Sequence, residues 1–175
     1  MPGIEQLRMD IELPPPSQIG MVVRDIDRAV RYYSSVFGIG PFTVYEWSPD
    51  RHWVLEKPSH LKLKMGKSMW GSFEFELIEP LEGNSLHREF LENSGEGLHH
   101  LGFHVRDYDY LFGKFLSKGF IPLMRAESYV SAYNGHLKAC YFDTRQTGGI
   151  IFEIIWKSWL QVPETGIEES ARNEL

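Results

Sequence analysis

The sequence predicts an α+β fold: two βαβββ modules sharing one open, eight-stranded, barrel-like sheet, with the helices outside. Three observations carry that prediction. The chain repeats itself, since Gln18 to Asp27 reads QIGMVVRDID and His100 to Asp109 reads HLGFHVRDYD. Gly20 matches Gly102, Val23 matches Val105, Arg24 matches Arg106, Asp25 matches Asp107 and Asp27 matches Asp109. A second echo closes each copy, where Phe75-Glu76-Leu77-Ile78 returns as Phe152-Glu153-Ile154-Ile155. Between the echoes, each half runs from an apolar helical stripe into segments of alternating polarity. An internal repeat of this size sets the architecture. It divides the chain into a lead-in (1–16), a first module (17–80), a connector (81–97), a second module (98–157) and a C-terminal tail (158–175).

The lead-in ends in Pro14-Pro15-Pro16, which favours stiff polyproline II geometry. Gln18 to Val23 then reads as a strand. Asp25 is a good N-cap, and Ile26, Val30, Tyr33 and Phe37 form one helical stripe. Gly38 and Gly40-Pro41 stop that helix. Thr43 to Trp47 and Leu61 to Met65 read as strands, the latter alternating against Lys62 and Lys64. Ser48 to Ser59 between them reads as a loop carrying His52 and Trp53. Phe73 to Ile78 is a fourth strand, which Pro80 is expected to stop. In the connector, Ser85 caps a short helix through Leu86, Phe90 and Leu91, and Asn93 to Gly97 ends it. The second module repeats the order. Its strand is His100 to Val105, its helix follows the cap Asp107 with Leu111, Phe112 and Phe115, and Gly119 stops it. Strands around Pro122–Glu127, Lys138–Phe142 and Ile150–Trp156 complete it. A frayed tail is expected from Pro163 to Leu175.

Bulk properties narrow the function. The 175 residues are 42% hydrophobic and 14% aromatic, enough for a sizeable core. A net charge of −6 with no basic block argues against nucleic acid as partner. Cys140 is the sole cysteine, so no intramolecular disulfide can form, as suits a reducing cytoplasm. No apolar run approaches membrane-spanning length, so no membrane partner is expected. Cys140 reads as a small buried residue, Gly148-Gly149 as a turn, and the scattered Trp47, Trp53, Trp70, Tyr129 and Tyr133 as core.

The chemistry concentrates at the strands of the echoes. Alternation puts Gln18, Gly20 and Val22 on one face, His100, Gly102 and His104 on another, and Glu76 and Glu153 mid-strand among apolar neighbours. Taken singly, Glu153 fits a solvated edge strand, His100 a rim residue and Glu76 a wet face. Taken across the repeat, metal-competent side chains hold both first-strand openings and both last-strand centres. One nitrogen and three oxygens suit Zn, Ni, Co, Mn or Fe as a divalent ion, without choosing among them.

At these residues the chain resembles the vicinal oxygen chelate superfamily, which includes glyoxalase I, methylmalonyl-CoA epimerase, extradiol dioxygenases and bleomycin-resistance-type binding proteins. The resemblance spans roughly 17–157. It implies one metal ligand from the first and last strand of each module: Gln18, Glu76, His100 and Glu153. That set is similar to the zinc-type glyoxalase I. GLHHLGFHV at Gly97–Val105, ELIEPL at Glu76–Leu81 and TGGIIFEI at Thr147–Ile154 resemble the epimerase more. The epimerase has Gln where this chain has Glu76, and its extra glutamate base falls near Lys62. The resemblance implies a lyase or isomerase that moves a proton beside a carbonyl or thioester, with Glu153 as base and Glu76 as a second candidate. It also implies one divalent transition metal, a small-molecule substrate and a homodimer. The alternatives are a non-catalytic binding protein of the bleomycin-resistance type, or a dioxygenase.

Overall fold

The computed structural model describes residues 11–146 and 148–162; the expected frayed tail from Pro163 lies outside the described residues. The repeat is visible first in how helices begin. Helix α1 (Ile26–Phe37) starts where the Asp25 carboxylate accepts the Arg28 N–H at 2.8 Å, and ends at Gly38 with φ 68°. Helix α3 (Tyr108–Ser117) starts the same way, Asp107 accepting the Tyr110 N–H at 2.9 Å. Between the modules α2 (Leu86–Asn93) is capped by Ser85, which accepts the Arg88 N–H.

Among the described residues, ten strands form one sheet: β1 (Gln18–Val22), β2 (Thr43–Trp47), β3 (Arg51–Val54), β4 (Lys57–Pro58), β5 (Leu61–Trp70), β6 (Phe73–Gly83), β7 (Gly97–His104), β8 (Pro122–Val130), β9 (Gly135–Phe142) and β10 (Ile151–Lys157). Their order is β2-β5-β6-β1-β7-β10-β9-β8-β3-β4. The seam is β1 against β7, antiparallel, and the first module continues outward through β6 and the second through β10, each parallel to its neighbour. Both modules of one chain therefore pair with each other.

Period-two alternation then sorts the side chains into layers. Ile26, Val30 and Tyr33 of α1 pack on Phe75 and Leu77 outside the first module. Leu111 and Phe115 of α3 pack on Phe142 and Ile154 outside the second, where the rings of Phe115 and Phe142 stack at 4.3 Å. The opposite face is shared by both modules: Leu61, Leu63, Met65 and Ile78 meet Met124, Tyr141 and Ile151, with Leu86 of α2. Phe37, at the end of its stripe, is exposed.

The sheet has to curl. Strands β2 and β3 are eight places apart in the order but only Ser48, Pro49 and Asp50 separate them in the chain. Eight strand spacings laid flat would cover roughly 40 Å. The three-residue link reaches roughly 14 Å at most. The two edges must come close, and the Asp50 side chain accepts the Tyr129 N–H of β8 at 2.7 Å across that closure.

The structure corrects four expectations. Ser48–Ser59 is not a loop: β3 and β4 form a hairpin on the edge of β8, which makes ten strands of the expected eight. Leu55 (φ 47°) and Glu56 (φ 61°) make its turn, and left-handed Leu-Glu lacks the Asn-Gly signature of such turns. Arg125 secures it, donating to Glu56 at 3.0 and 2.8 Å while lying 4.6 Å over the Trp53 ring. Pro80 does not stop β6, because the pairing with β5 shifts register there and a bulge tolerates a residue without an N–H. Trp70, Tyr129 and Tyr133 are exposed rather than core, Tyr133 stacking on Trp159 at 4.7 Å. Strands β5, β8 and β9 are longer than their apolar patterns, since cross-strand pairing carries them past the last periodic residue.

A branched-at-Cγ Leu in left-handed backbone is strained, and Leu55 is 57% exposed. Leu55→Asn should therefore stabilise the chain by roughly 0.5–1 kcal/mol, read as a raised denaturation midpoint at unchanged m-value. A lowered midpoint would show that Leu55 is held by packing instead.

Candidate metal centre

Two rows of residues cross the sheet at its seam. In one, Glu76, Gly20 and His100 are lateral neighbours on β6, β1 and β7. In the other, Gln18, Gly102 and Glu153 are neighbours on β1, β7 and β10. Each row has a glycine in the middle. A Cβ on Gly20 would strike the His100 imidazole, and one on Gly102 would lie 2.5 Å from Gln18 Oε1. The missing side chains let the flanking ones lean together. The repeat thus places a gap from one module under a polar side chain from the other.

Glu76, His100 and Glu153 meet there, with ligand atoms within 4.8 Å of one another, while Gln18 stands beside Gly102 in the second row; Gln18, Glu76, His100 and Glu153 are 1%, 2%, 0% and 4% exposed. His100 Nε2 lies 3.1 Å from Glu153 Oε2 and 3.6 Å from Glu76 Oε2. These are not aligned hydrogen bonds. His100 Nε2, Glu153 Oε2 and Gln18 Oε1 are each buried with no hydrogen-bond partner. Leaving such atoms bare costs about 1–3 kcal/mol each. Two donors about 2 Å from one ion in tetrahedral or octahedral coordination lie roughly 2.9–3.4 Å apart; the 3.1 Å between His100 Nε2 and Glu153 Oε2 falls in that range. The donor set, the bare atoms and the glycine cradle all fit a divalent cation.

A lysine at the site escaped the sequence analysis. Lys67 Nζ sits 2.8 Å from Glu76 Oε1 and 3.0 Å from Glu74 Oε1, and Gln18 Nε2 donates to Glu74 Oε1 at 2.7 Å. Lys67 stands directly across from Glu76 on β5. The inward series Leu61, Leu63, Met65 continues to it, so alternation carried past Met65 would have found it. Lys67 also splits the roles of the Glu76 oxygens: Oε1 is tied to the ammonium, and Oε2 faces His100.

The charges respond to this crowding. Burial raises the Glu76 pKa, yet Lys67 and His100 more than offset it, holding the carboxyl well below its usual range. Burial likewise disfavours the charged forms of Lys67 and His100. Glu76 and Glu74 nevertheless lift Lys67 well above its ordinary value, and Glu153 and Glu76 lift His100 to about 9. Among the effects that hold the proton on His100, the negative charge of Glu153 is the largest. Around this charged centre the buried His52, His87 and His99 are neutral, the pKa of each lowered by its burial. Burial lowers His87 to about 3 and His52 to about 4, helped by the charge of His100 and of His60 respectively. His87 and His99 pack behind His100, their rings tilted and their centres 4.8 Å apart, with Tyr141 closing the group. His87, His99 and His100 form a second cluster with metal-ligand spacing.

Over residues 17–141 the chain matches the profile of the Glyoxalase/Bleomycin resistance protein/Dioxygenase superfamily. It belongs to that superfamily. Solved structures share the fold at identities too low to say more. One is a hypothetical protein of Bacillus halodurans (18% identity, 85% of this chain and 96% of that one, TM-score 0.55). Another is a methylmalonyl-CoA epimerase variant of Streptomyces coelicolor in complex with 2-nitronate-propionyl-CoA (19%, 87% and 100%, 0.58). A third is the methylmalonyl-CoA epimerase of Mycobacterium tuberculosis (16%, 88% and 95%, 0.54). Among curated sequences, an uncharacterized protein of Bacillus subtilis, YqjC, is 34% identical over 85 residues, which are 49% of this chain and 53% of that protein. The match spans about half the length of that relative. Superfamily members typically bind a metal, and this member brings a His/Glu cluster able to hold one. No described helix is long and apolar enough to cross a membrane.

Two outcomes follow from the geometry. Gly20→Ala forces the His100 ring aside, so Zn²⁺ affinity in a calorimetric titration should drop about 100-fold, the upper end of ligand-shell perturbations. Unchanged affinity would remove His100 from the centre. For the metal-free protein, His100 is protonated up to about pH 9 when folded but only to about 6.5 when unfolded. Its stabilisation is full below 6.5 and disappears as pH rises through 9. His87 works in reverse: its stabilisation is full above 6.5 and is lost as pH falls toward 3, at up to about 1.4 kcal/mol per pH unit. Denaturation midpoints should peak near pH 6.5. Midpoints still climbing at pH 8 would contradict the His100 pairing.

Proposed function

We propose that this chain is a divalent-metal enzyme, held together at Gln18, Glu76, His100 and Glu153, that transfers a proton beside a carbonyl or thioester. The observation that carries this reading is the buried cluster of Glu76, His100 and Glu153 from strands of both modules, with ligand atoms within 4.8 Å of one another and with His100 Nε2 and Glu153 Oε2 lacking any hydrogen-bond partner. A pure binding protein has no use for that arrangement. The bound ion would supply Lewis-acid stabilisation of the oxyanion that develops when the adjacent C–H loses its proton.

The chain's own groups divide the remaining work. Glu153 is the base: its Oε2 has no hydrogen-bond partner, and it lies on β10 between Ile151 and Ile155, all three buried. Glu76 is a poor second base, because Lys67 occupies its Oε1 at 2.8 Å and holds its pKa well below that of an ordinary carboxylate. Epimerisation through two bases needs a competent group on each face of the carbon. The asymmetry between Glu153 and Glu76 favours removal and return of the proton on one face, as in lyase-type isomerisation of an α-hydroxycarbonyl. Buried apolar neighbours keep water from quenching the intermediate.

Glu153→Gln keeps a ligand oxygen but removes the base. Metal content should stay near one ion per chain, while deuterium wash-in from heavy water should fall about 10²–10⁴-fold across a panel of 2-oxoaldehyde hemithioacetals and methyl-branched acyl-CoA thioesters. Undiminished wash-in would clear Glu153 of this role. Wash-in by no member of the panel, with the wild-type protein metal-loaded, would move the reading to a binding protein.

A further inference from the structure

Strand β7 presents two consecutive histidines to the same interior, which a regular strand cannot do, because neighbours alternate between faces. The register with β1 explains it. Gly20 lies opposite His100 and Met21 lies opposite Leu98, so His99 is the extra residue of a β-bulge. The bulge cancels the alternation for one step, and both rings are buried, His99 at 2% and His100 at 0% exposure. Their Nδ1 atoms are 3.0 Å apart. Two ring nitrogens at that distance share one proton, since two lone pairs or two N–H groups would repel. His100 Nε2 is committed to the side of Glu153 and Glu76, which leaves its Nδ1 to carry the proton toward His99.

We propose that His99 is a positioning residue: its Nδ1 accepts from His100 Nδ1–H and so fixes the tautomer that aims the His100 Nε2 lone pair at the metal. This rests on the reading of His100 as a ligand. The group that usually takes a ligating histidine's second N–H is a carboxylate, a backbone carbonyl or a water. A neutral imidazole does the same orienting without adding charge. That matters here, because Glu74, Glu76 and Glu153 already crowd the centre. The His99 ring is itself wedged, with Phe90 edge-on at 5.2 Å and His87 at 4.8 Å between ring centres. It gives the buried His87 of α2 a purpose as well, which is to hold His99 in the orientation that accepts.

The test compares two variants by Zn²⁺ titration. His99→Phe keeps a ring but offers no acceptor, and should weaken Zn²⁺ binding about 10–100-fold. His99→Asn offers Oδ1 near the position of Nδ1 and should stay within about fivefold of wild type. Both should melt alike without metal. Equal affinities for both variants, whether unchanged or equally reduced, overturn the proposal, because the acceptor would then not matter. Two Zn²⁺ per wild-type chain also overturn it, since His87 and His99 would then be ligands themselves. Independently of whether either variant folds, ¹⁵N shifts of the wild-type histidines should show Nδ1 protonated on His100 and bare on His99; a protonated His99 Nδ1 overturns the assignment. If wild-type protein binds no Zn²⁺, the proposal falls with the metal reading. The ¹⁵N tautomers of the metal-free protein then show whether the shared proton survives, which separates the two failures.

Discussion

Everything distinctive here depends on the absence of two side chains. Gly20 and Gly102 lie where β1 and β7 pair, and each leaves room for a polar side chain that the other module supplies, His100 and Gln18 respectively. A methyl group at either position would push an imidazole or an amide out of a space that close packing cannot enlarge cheaply. The centre exists only when the seam is formed, since Gln18 and Glu76 come from one half and His100 and Glu153 from the other. Folding and assembly of the candidate site are therefore coupled through the same pair of strands.

The seam also concentrates charge where water is scarce. Glu74, Glu76 and Glu153 face Lys67 and, in the metal-free protein, a protonated His100. Buried pairs of this kind lose much of their Coulomb gain to desolvation. The interior tolerates them because they form a chain, from Gln18 through Glu74 and Lys67 to Glu76 and His100, rather than isolated ions. The neutral histidines behind them are a second cost, since His52 and His87 keep both nitrogens without partners. Such groups concentrate where a protein has a use for them.

Much of this was legible in the amino-acid sequence, and the misses have physical causes. The buried cluster of Glu76, His100 and Glu153 could be read because the repeat brings polar side chains to equivalent places on strands whose neighbours are apolar. Superfamily membership followed from the same residues. Lys67 was missed because the apolar series ends at Met65, although the strand and its inward face continue. His99 drew no reading of its own, because a bulge leaves no mark in composition and shows only in the register of β1 against β7. The β3–β4 hairpin was missed because its turn is Leu55-Glu56, a pair that needs Arg125 from a distant strand to hold it. Local patterns could not report what long-range partners impose.

The hairpin also sets the order in which the chain can be completed. Its strand β3 belongs by sequence to the first half but pairs with β8 of the second, Arg51 reaching Glu127 76 residues further on. As the chain leaves a ribosome, this arm emerges long before its partner exists. The first half must wait with an unpaired edge and an uncovered apolar face, the kind of exposure that makes slow, non-local topologies prone to association during synthesis. The last stitch of the barrel is therefore made late.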